Sequence, residues 1–389
     1  MRFAPWLFTF LALMVVASCA YQLVVILGTL WLRRLRHQST FASAGFTPPV
    51  SLLKPIRGAD GETKACLETF FQQDYPDYEI VFALHDADDA AVAVIERLRR
   101  AYPNVPTTCV FQPPPLGVNP KVANLANALS AAKHDLVILS DADIRVSRDY
   151  VRTVIHPLHD RQVGVVTCLY RGVSKSGLPS RFECLGIETD FMSSVLVACL
   201  VEGLSYAFGS TVATRKSVIA GFGGLARLAN HLADDYLIGN LAYQAGYRVQ
   251  LSSCVVETVV PEMTWRDFLS HQLRWARTIR TARFGGYTGL FVTHTLTLGL
   301  LLVTAFPGVA LAWYLMLTGV ALRFLAAWQT ASALGNNQIR RLGWLPLRDL
   351  LHFVVWIGGF WGRTITWRGQ IYRLAGDGRL LPEPLPEHR

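Results

Sequence analysis

The sequence predicts an α/β domain built on a mostly parallel, Rossmann-like sheet and flanked by transmembrane helices. Strand-like and helix-like patterns alternate between residues 50 and 144, as βαβ units require. Hydrophobic residues make up 51% of the 389 and charged ones only 17%, with a mean hydropathy of +0.29, too apolar for an ordinary soluble enzyme. The buried-strand pattern Leu136-Val-Ile-Leu-Ser140 ends at Asp141-Ala142-Asp143, so two carboxylates stand where open α/β sheets bind ligands.

The elements follow in order. Residues 6–32 carry no charge, and Arg33, Arg34 and Arg36 come directly after them. That length spans a bilayer, and the basic cluster places the following chain in the cytoplasm. Arg2 and the small residues 17–20 suit a cleaved leader, but the apolar run continues well beyond them, so residues 1–36 read as a retained anchor. Strands are expected at 50–55, 78–84, 107–111 and 136–140, with helices at 62–73, 90–101 and from Pro120 to about 134. Asn119 is the N-cap of the last helix and Pro120 its first residue.

Beyond residue 144 the pattern predicts strands at 164–169, 206–214, 248–251 and 255–259, with helices at 181–200 and 227–245. Residues 48–262 thus form a cytoplasmic catalytic domain. The amphipathic segment 263–288 suits a membrane interface. Residues 289–330 hold one charge, Arg323, and a break at Pro307-Gly308, so two transmembrane helices are expected there. In the C-terminal segment 331–389, residues 350–366 predict a re-entrant or third membrane helix. Arg340, Arg341 and Arg348 precede it and Arg363, Arg368, Arg373 and Arg379 follow, which puts both flanks in the cytoplasm.

The net charge of +9 is spread beside apolar segments, which fits a bilayer surface and not a nucleic acid. The seven cysteines show neither a C-x-x-C pair nor zinc spacing, as expected of reduced thiols.

Asp141 and Asp143 offer hard oxygens for a divalent cation, Mg²⁺ or Mn²⁺, facing a diphosphate; a turn cap is the plainer alternative. Asp86 follows the second strand, Asp235 lies on a later helix, and His271-Gln-Leu-Arg274-Trp275 stands beside the membrane. With these residues the chain resembles the ceramide glucosyltransferase family, glycosyltransferase family 21, which has three separated aspartate motifs and then Q/R-x-x-R-W. The resemblance covers roughly residues 50–283 and extends to Lys54-Pro55, Tyr102-Pro-Asn-Val105, Gly117-Val-Asn-Pro-Lys121 and Ala233-Asp-Asp-Tyr236. It implies the nucleotide-diphospho-sugar transferase (GT-A) fold.

The resemblance also implies roles. Asp86 would recognise the nucleotide, although the His85-Asp-Ala-Asp-Asp89 run also suits a helix cap. Asp141 is the second motif aspartate, and Asp143 completes a D-x-D for metal binding. Asp235 would be the general base that takes the acceptor's proton, with its neighbour Asp234 read as a solvated helix acid. Arg274 offers donors to diphosphate oxygens and Trp275 a floor for sugar or acceptor. His271 departs from the pattern's first position, where it still donates a hydrogen bond. Lys121 is either a second phosphate ligand or a solvated first-turn lysine.

Together these features predict an inverting transferase that passes a sugar from a UDP-sugar to the hydroxyl of a membrane lipid. Residues 168–172, 232–236 and 271–278 look closest to bacterial hopanoid-pathway members, which transfer N-acetylglucosamine to bacteriohopanetetrol and imply a bacterial inner membrane. Ceramide with UDP-glucose is the family's other pairing. A processive polysaccharide synthase and a non-catalytic lipid-binding membrane protein are the alternatives from other classes.

Overall fold

The computed structural model describes residues 5–39, 45–175, 177–336, 339–367 and 370–382, so Arg2, Arg368 and residues 383–389 lie outside the described residues. Helix α1 (Pro5–Ser39) carries the first apolar run and continues through the arginines that follow it. Next come β1 (Val50–Pro55), α2 (Thr63–Phe71), β2 (Tyr78–Ala83), α3 (Ala90–Ala101), β3 (Thr107–Val110), α4 (Pro120–Ala131) and β4 (Leu136–Leu139). These four strands pair in parallel in the order β3-β2-β1-β4. The order reverses between β1 and β4, which opens a crevice at their carboxyl ends.

Side-chain alternation explains why these strands are apolar throughout. Leu52 and Ile138 pack on one face of the sheet, Leu53 and Val137 on the other, so both faces are buried. Two caps set helix starts at the ligand edge. Asp89 accepts from Ala91 N and also from Gly58 N, tying the loop after β1 to α3. Asn119 accepts from Lys121 N at 2.9 Å and so fixes the first turn of α4.

The second half continues with β5 (Ile144–Arg145), α5 (Tyr150–Ile155), β6 (Val163–Val173), α6 (Leu178–Gly186), a π-helical turn at Ile187–Phe191, and α7 (Met192–Val201). Then follow β7 (Val212–Arg215), α8 (Lys216–Gly221), α9 (Asp234–Gln244) and β8 (Arg248–Val259). They extend the sheet to eight strands in the order β3-β2-β1-β4-β7-β6-β8-β5, with β7 antiparallel to both neighbours.

Three expectations change here. The strand anticipated at 206–214 is short, because Phe208 and Thr211 bridge across a tight turn before β7. The two strands expected at 248–251 and 255–259 are one, irregular in register against β6 between Thr167 and Leu169. The helix expected from 227 begins at Asp234, since Gly223 and Gly224 both adopt positive φ and a 3₁₀ turn at Leu225–Leu228 precedes a loop. Asp234 and Asp235 therefore occupy a helix's first turn, where acidic groups are favoured.

The remainder comprises α10 (Trp265–Ala282), α11 (Phe284–Gly289), α12 (Thr295–Ala305), α13 (Ala310–Ala333), α14 (Leu345–Gly359) and the strands β9 (Thr364–Trp367), β10 (Gln370–Leu374) and β11 (Leu380–Pro382). Among the described residues three helices are long and apolar enough to cross a membrane: Pro5–His37, Leu178–Val201 and Ala310–Ala333. Of the pair of spans expected at 289–330, α13 is one long helix, and the other falls on the segments Phe284–Thr293 and Thr295–Ala305, which bend by 60° and make either a broken span or a re-entrant loop. Helix α12 has 11 residues, about 16 Å, half a hydrocarbon core.

Helix α14 has 15 residues, about 22 Å, too few to cross upright, and residues 364–366 of the expected membrane segment belong to β9. Arg348 is not a flanking surface charge. It is buried in α14 beside Arg323 of α13, and both pair with Asp190 in the π-helical turn; Arg323 also pairs with Asp349.

The small C-terminal sheet has a defined seat. Leu380 N donates to Asn230 O, and Ile365, Tyr372, Leu374 and Leu380 pack with Val118 and Leu232 of the catalytic domain. This contact requires residues 370–382 to share a membrane side with the catalytic sheet. A membrane-impermeant maleimide should therefore label the exposed sites of Asp88→Cys and Asp377→Cys from the same vesicle face, above the background of the parent chain. Labelling from opposite faces would refute this arrangement.

Candidate active site

Four carboxylates and two lysines are brought to the carboxyl ends of β1 and β4 by the parallel sheet and by two helix starts. Asp141 and Asp143 follow β4, Lys54 lies near the end of β1, Lys121 is in the first turn of α4, and Asp234 and Asp235 open α9. Lys121 Nζ lies 2.8 Å from Asp141 Oδ1 and 3.3 Å from Asp234 Oδ2. Gly209, in the turn before β7, makes the close approach possible. A methyl there would stand 3.0 Å from both Asp141 Oδ2 and Asp235 Oδ2, and 3.5 Å from Lys121 Nζ.

Two expectations are settled by this arrangement. Asp234 is not a solvated helix acid: it is 5% exposed and paired with Lys121. Nor is Lys121 a solvated lysine, since its side chain is 16% exposed and pinned between two carboxylates. Burial works against the Lys121 charge, but Asp141, Asp234 and Asp235 outweigh it and its pKa is raised.

The acids respond in the opposite sense to water. Burial, and then the charge of Asp234, pushes Asp235 up to about 6. Asp143 keeps an exposed side chain, yet the protein atoms crowded around it, and then the charge of Asp141, push it up to about 6 as well. Asp143 Oδ2 accepts from Thr258 Oγ1 at 3.2 Å on the neighbouring β8. Both shifts show negative charge crowded into a partly dehydrated edge, where a cation is favoured.

Lys54, which in the sequence stands out only as part of Lys54-Pro55, also belongs to this edge. It is fully buried, its Nζ donates to the Asp141 carbonyl and lies 3.6 Å from the centroid of the Phe70 ring. Burial lowers its pKa to about 7, against the pull of Asp141 and Asp143. Its place at the end of a fully buried strand pattern was the available signal. Gly209 gave none, because its role depends on side chains from three distant segments.

The other anticipated residues lie further out. Asp86 sits at the same sheet edge after β2, its side chain 63% exposed and held by His85 Nδ1 at 2.8 Å. The helix-cap role belongs to Asp89. Arg274 and Trp275 are half-buried on α10. Trp275 Nε1 donates to His271 Nε2 at 3.1 Å, while His271 Nδ1 stands 3.0 Å from Glu183 Oε1. The unexpected histidine thus orients the tryptophan. The Trp275 ring meets Phe191 edge-on at 5.0 Å, and Phe191 touches Tyr170 and Phe208, so α10 reaches the carboxylate cluster through an aromatic layer.

For a divalent cation the donor set is lean but suitable. Among the described residues no group of three or more His, Cys, Asp or Glu side chains converges at metal spacing. Asp141 and Asp143 would supply hard oxygens to Mg²⁺ or Mn²⁺, an ion whose remaining positions water and phosphate oxygens commonly take.

Comparison with known proteins gives the same architecture. A mannosyltransferase from Pyrobaculum calidifontis, solved with GDP-Man and Mn²⁺, superposes with a TM-score of 0.50 at 18% identity, covering 90% of this chain and 99% of that one. Ceramide glucosyltransferase 3 of Caenorhabditis elegans is 26% identical over 382 residues, 94% of this chain and 80% of that protein. An N-acetylglucosaminyltransferase of Rhizobium meliloti is 27% identical over 248 residues, 59% of this chain and 55% of its own length. The profile of glycosyl transferase family 21 matches residues 9–380, nearly the whole chain. A GT-A-like sheet with its acids at the β1/β4 switch point, joined to apolar helices along one continuous match, makes this chain a member of glycosyl transferase family 21.

Proposed function

We propose that the chain transfers a sugar from a UDP-sugar to the hydroxyl of a membrane lipid, with inversion at the anomeric carbon. The observation that carries this reading is the Lys121–Asp141–Asp234–Asp235 cluster at the sheet edge, one aromatic layer away from the amphipathic helix α10. The names of the two relatives point to glucose with ceramide in one and to N-acetylglucosamine in the other; UDP as the carrier and bacteriohopanetetrol as the second acceptor come from the family resemblance alone. The catalytic domain works on the cytoplasmic side, in a bacterial inner membrane on the hopanoid reading.

The chemistry needs one base. An alcohol is a poor nucleophile until a carboxylate accepts its proton during attack on the anomeric carbon. Asp235 is that carboxylate. The new carbon–oxygen bond forms as the bond to the diphosphate breaks, the proton passes to Asp235, and UDP departs with the electron pair. Lys121 and Arg274 face the diphosphate, Asp86 the nucleotide, and Trp275 the sugar or acceptor. Asp141 and Asp143 hold Mg²⁺ or Mn²⁺, which when bound offsets the charge on the departing diphosphate.

Lys121 is held ready for this task by Asp141 and Asp234, which together keep it charged despite burial. Lys121→Met should weaken UDP binding by about 10- to 100-fold, measured by calorimetry. Unchanged affinity would leave the lysine a purely structural ion-pair partner.

Asp235→Asn keeps the shape and removes the proton acceptor. Turnover should fall by about 10²–10⁴ while UDP affinity changes little. A lost UDP affinity with intact turnover per bound donor would instead assign this carboxylate to the donor site. Because Asp234 grips Lys121, Asp234→Asn is expected to alter UDP affinity more than the turnover of the bound complex.

Excess chelator should abolish transfer, with Mg²⁺ or Mn²⁺ restoring it. Full activity in chelator would confine Asp141 and Asp143 to positioning Lys121 and Thr258.

A further inference from the structure

Lys121 and the acids of α9 come from two segments far apart in the chain, residues 117–121 and 229–235. Between the 3₁₀ turn that ends at Leu228 and the start of α9 at Asp234, the second segment belongs to no helix or strand ladder. Its path is set by bonds to its neighbours.

Asn119 grips that path at two points. Its backbone N donates to Ala229 O at 2.7 Å and its side-chain Nδ2 donates to His231 O at 2.7 Å, while Oδ1 accepts from Lys121 N at 2.9 Å. Asn119 is fully buried, and bonds to both residue 229 and residue 231 remove the pivot that a single bond would leave. Asn230, between them, accepts at Oδ1 from Val118 N at 3.1 Å. The grip lies two residues from Lys121 and three from Asp234, the pair that meets at 3.3 Å.

The C-terminal sheet holds the other side of the same path. Leu380 N donates to Asn230 O at 2.6 Å, and Arg379 forms an antiparallel bridge with His231. Val118 and Leu232, one from each segment, pack on Ile365, Tyr372, Leu374 and Leu380. The sheet thus bears on both segments at once.

The seam between the segments has no room to spare. A methyl on Gly117 would stand 2.6 Å from Asn230 Oδ1, 2.7 Å from Ala229 O and 2.9 Å from Ala229 C. The last two are backbone atoms, so a side chain at 117 drives the segments apart.

We propose that this seam is a positioning device in which Gly117, Asn119 and Asn230, backed by β11, set the distance between Lys121 and Asp234 and so place the lysine for the diphosphate. The inference rests on the donor-binding role of Lys121 given above and adds the residues that act through it. Asn119 and Asn230 are positioning residues, since their side chains bond to backbone groups of the seam and of the first turn of α4.

The test uses the full chain in nanodiscs, calorimetric UDP binding in Mg²⁺, and a double-mutant cycle with Lys121→Met. Gly117→Ala wedges the seam at an exposed position, where such a change ordinarily costs little. It should weaken UDP binding by about tenfold in the parent chain, but by less than about twofold in Lys121→Met, where the lysine it misplaces is already gone. Asn230→Ala removes the acceptor for Val118 N and should weaken UDP binding by about threefold or more, again only while Lys121 is present. Asn230→Asp keeps that oxygen and should hold UDP affinity within about twofold of the parent.

Parent affinity in a folded Gly117→Ala, or the same loss with and without Lys121, overturns the positioning role and leaves the donor role of the lysine standing. If Gly117→Ala fails to fold, the Asn230→Ala cycle decides by the same two criteria. Unchanged UDP affinity in Lys121→Met alone overturns the donor role and the positioning role with it.

Discussion

Lys121 holds the catalytic edge together. Four carboxylates converge at the ends of β1 and β4, and Asp234 is buried among them with Asp235 half-buried; isolated buried charges of one sign cost several kcal/mol apiece. Lys121 offsets this by lying between Asp141 and Asp234, and Lys54, whose charge burial weakens, adds a donor to the Asp141 carbonyl. The helix N-terminus of α9 favours Asp234 and Asp235 further. Its position in turn depends on Asn119, which fixes the start of α4, and on Gly209, which leaves room for the side chains to meet. The residual crowding appears in the raised pKa of Asp143 and Asp235, the condition in which a divalent cation and a proton acceptor are both favoured.

A second set of buried charges joins this edge to the apolar helices. Arg323 on α13 and Arg348 on α14 converge on Asp190, and Gln272 links Arg348 to Glu183. Glu183 stands beside His271, which receives the indole N–H of Trp275. Breaking one partner of a buried pair costs far more than the pair contributes, so this chain of contacts fixes geometry more than it adds stability. It specifies how α10 lies against both the sheet and the membrane segment. Arg277 extends that fixation to the C-terminal sheet through the carbonyl of Thr364, and Arg280 extends it to the end of α14 through the carbonyl of Gly359.

Much of the first half was legible because its signals are local. Alternating buried patterns gave β1 to β4, and Asn119 with Pro120 marked the start of α4 as the structure has it. The Asp141-Ala-Asp143 edge followed from strand polarity alone. Asp234 was misread because its environment depends on where α9 begins, which Gly223, Gly224 and a 3₁₀ turn decide. That Leu178–Val201 is long and apolar enough to cross a membrane was masked by Glu183, Glu188 and Asp190, whose partners lie far along the chain. The strands β9 to β11 are three to five residues long and gain their order from one another and from Asn230, which no local pattern announces.

The proposed transfer requires a single base, Asp235, to deliver an acceptor hydroxyl to the face of the sugar opposite the diphosphate. The direct test is the anomeric configuration of the product. Purified enzyme with labelled UDP-glucose or UDP-N-acetylglucosamine and a membrane lipid extract should yield a glycolipid whose mass identifies sugar and acceptor. Its anomeric proton coupling in NMR should report a β linkage, inverted from the α-linked donor. An α linkage would contradict the mechanism, since retention requires a route that one base at Asp235 does not provide.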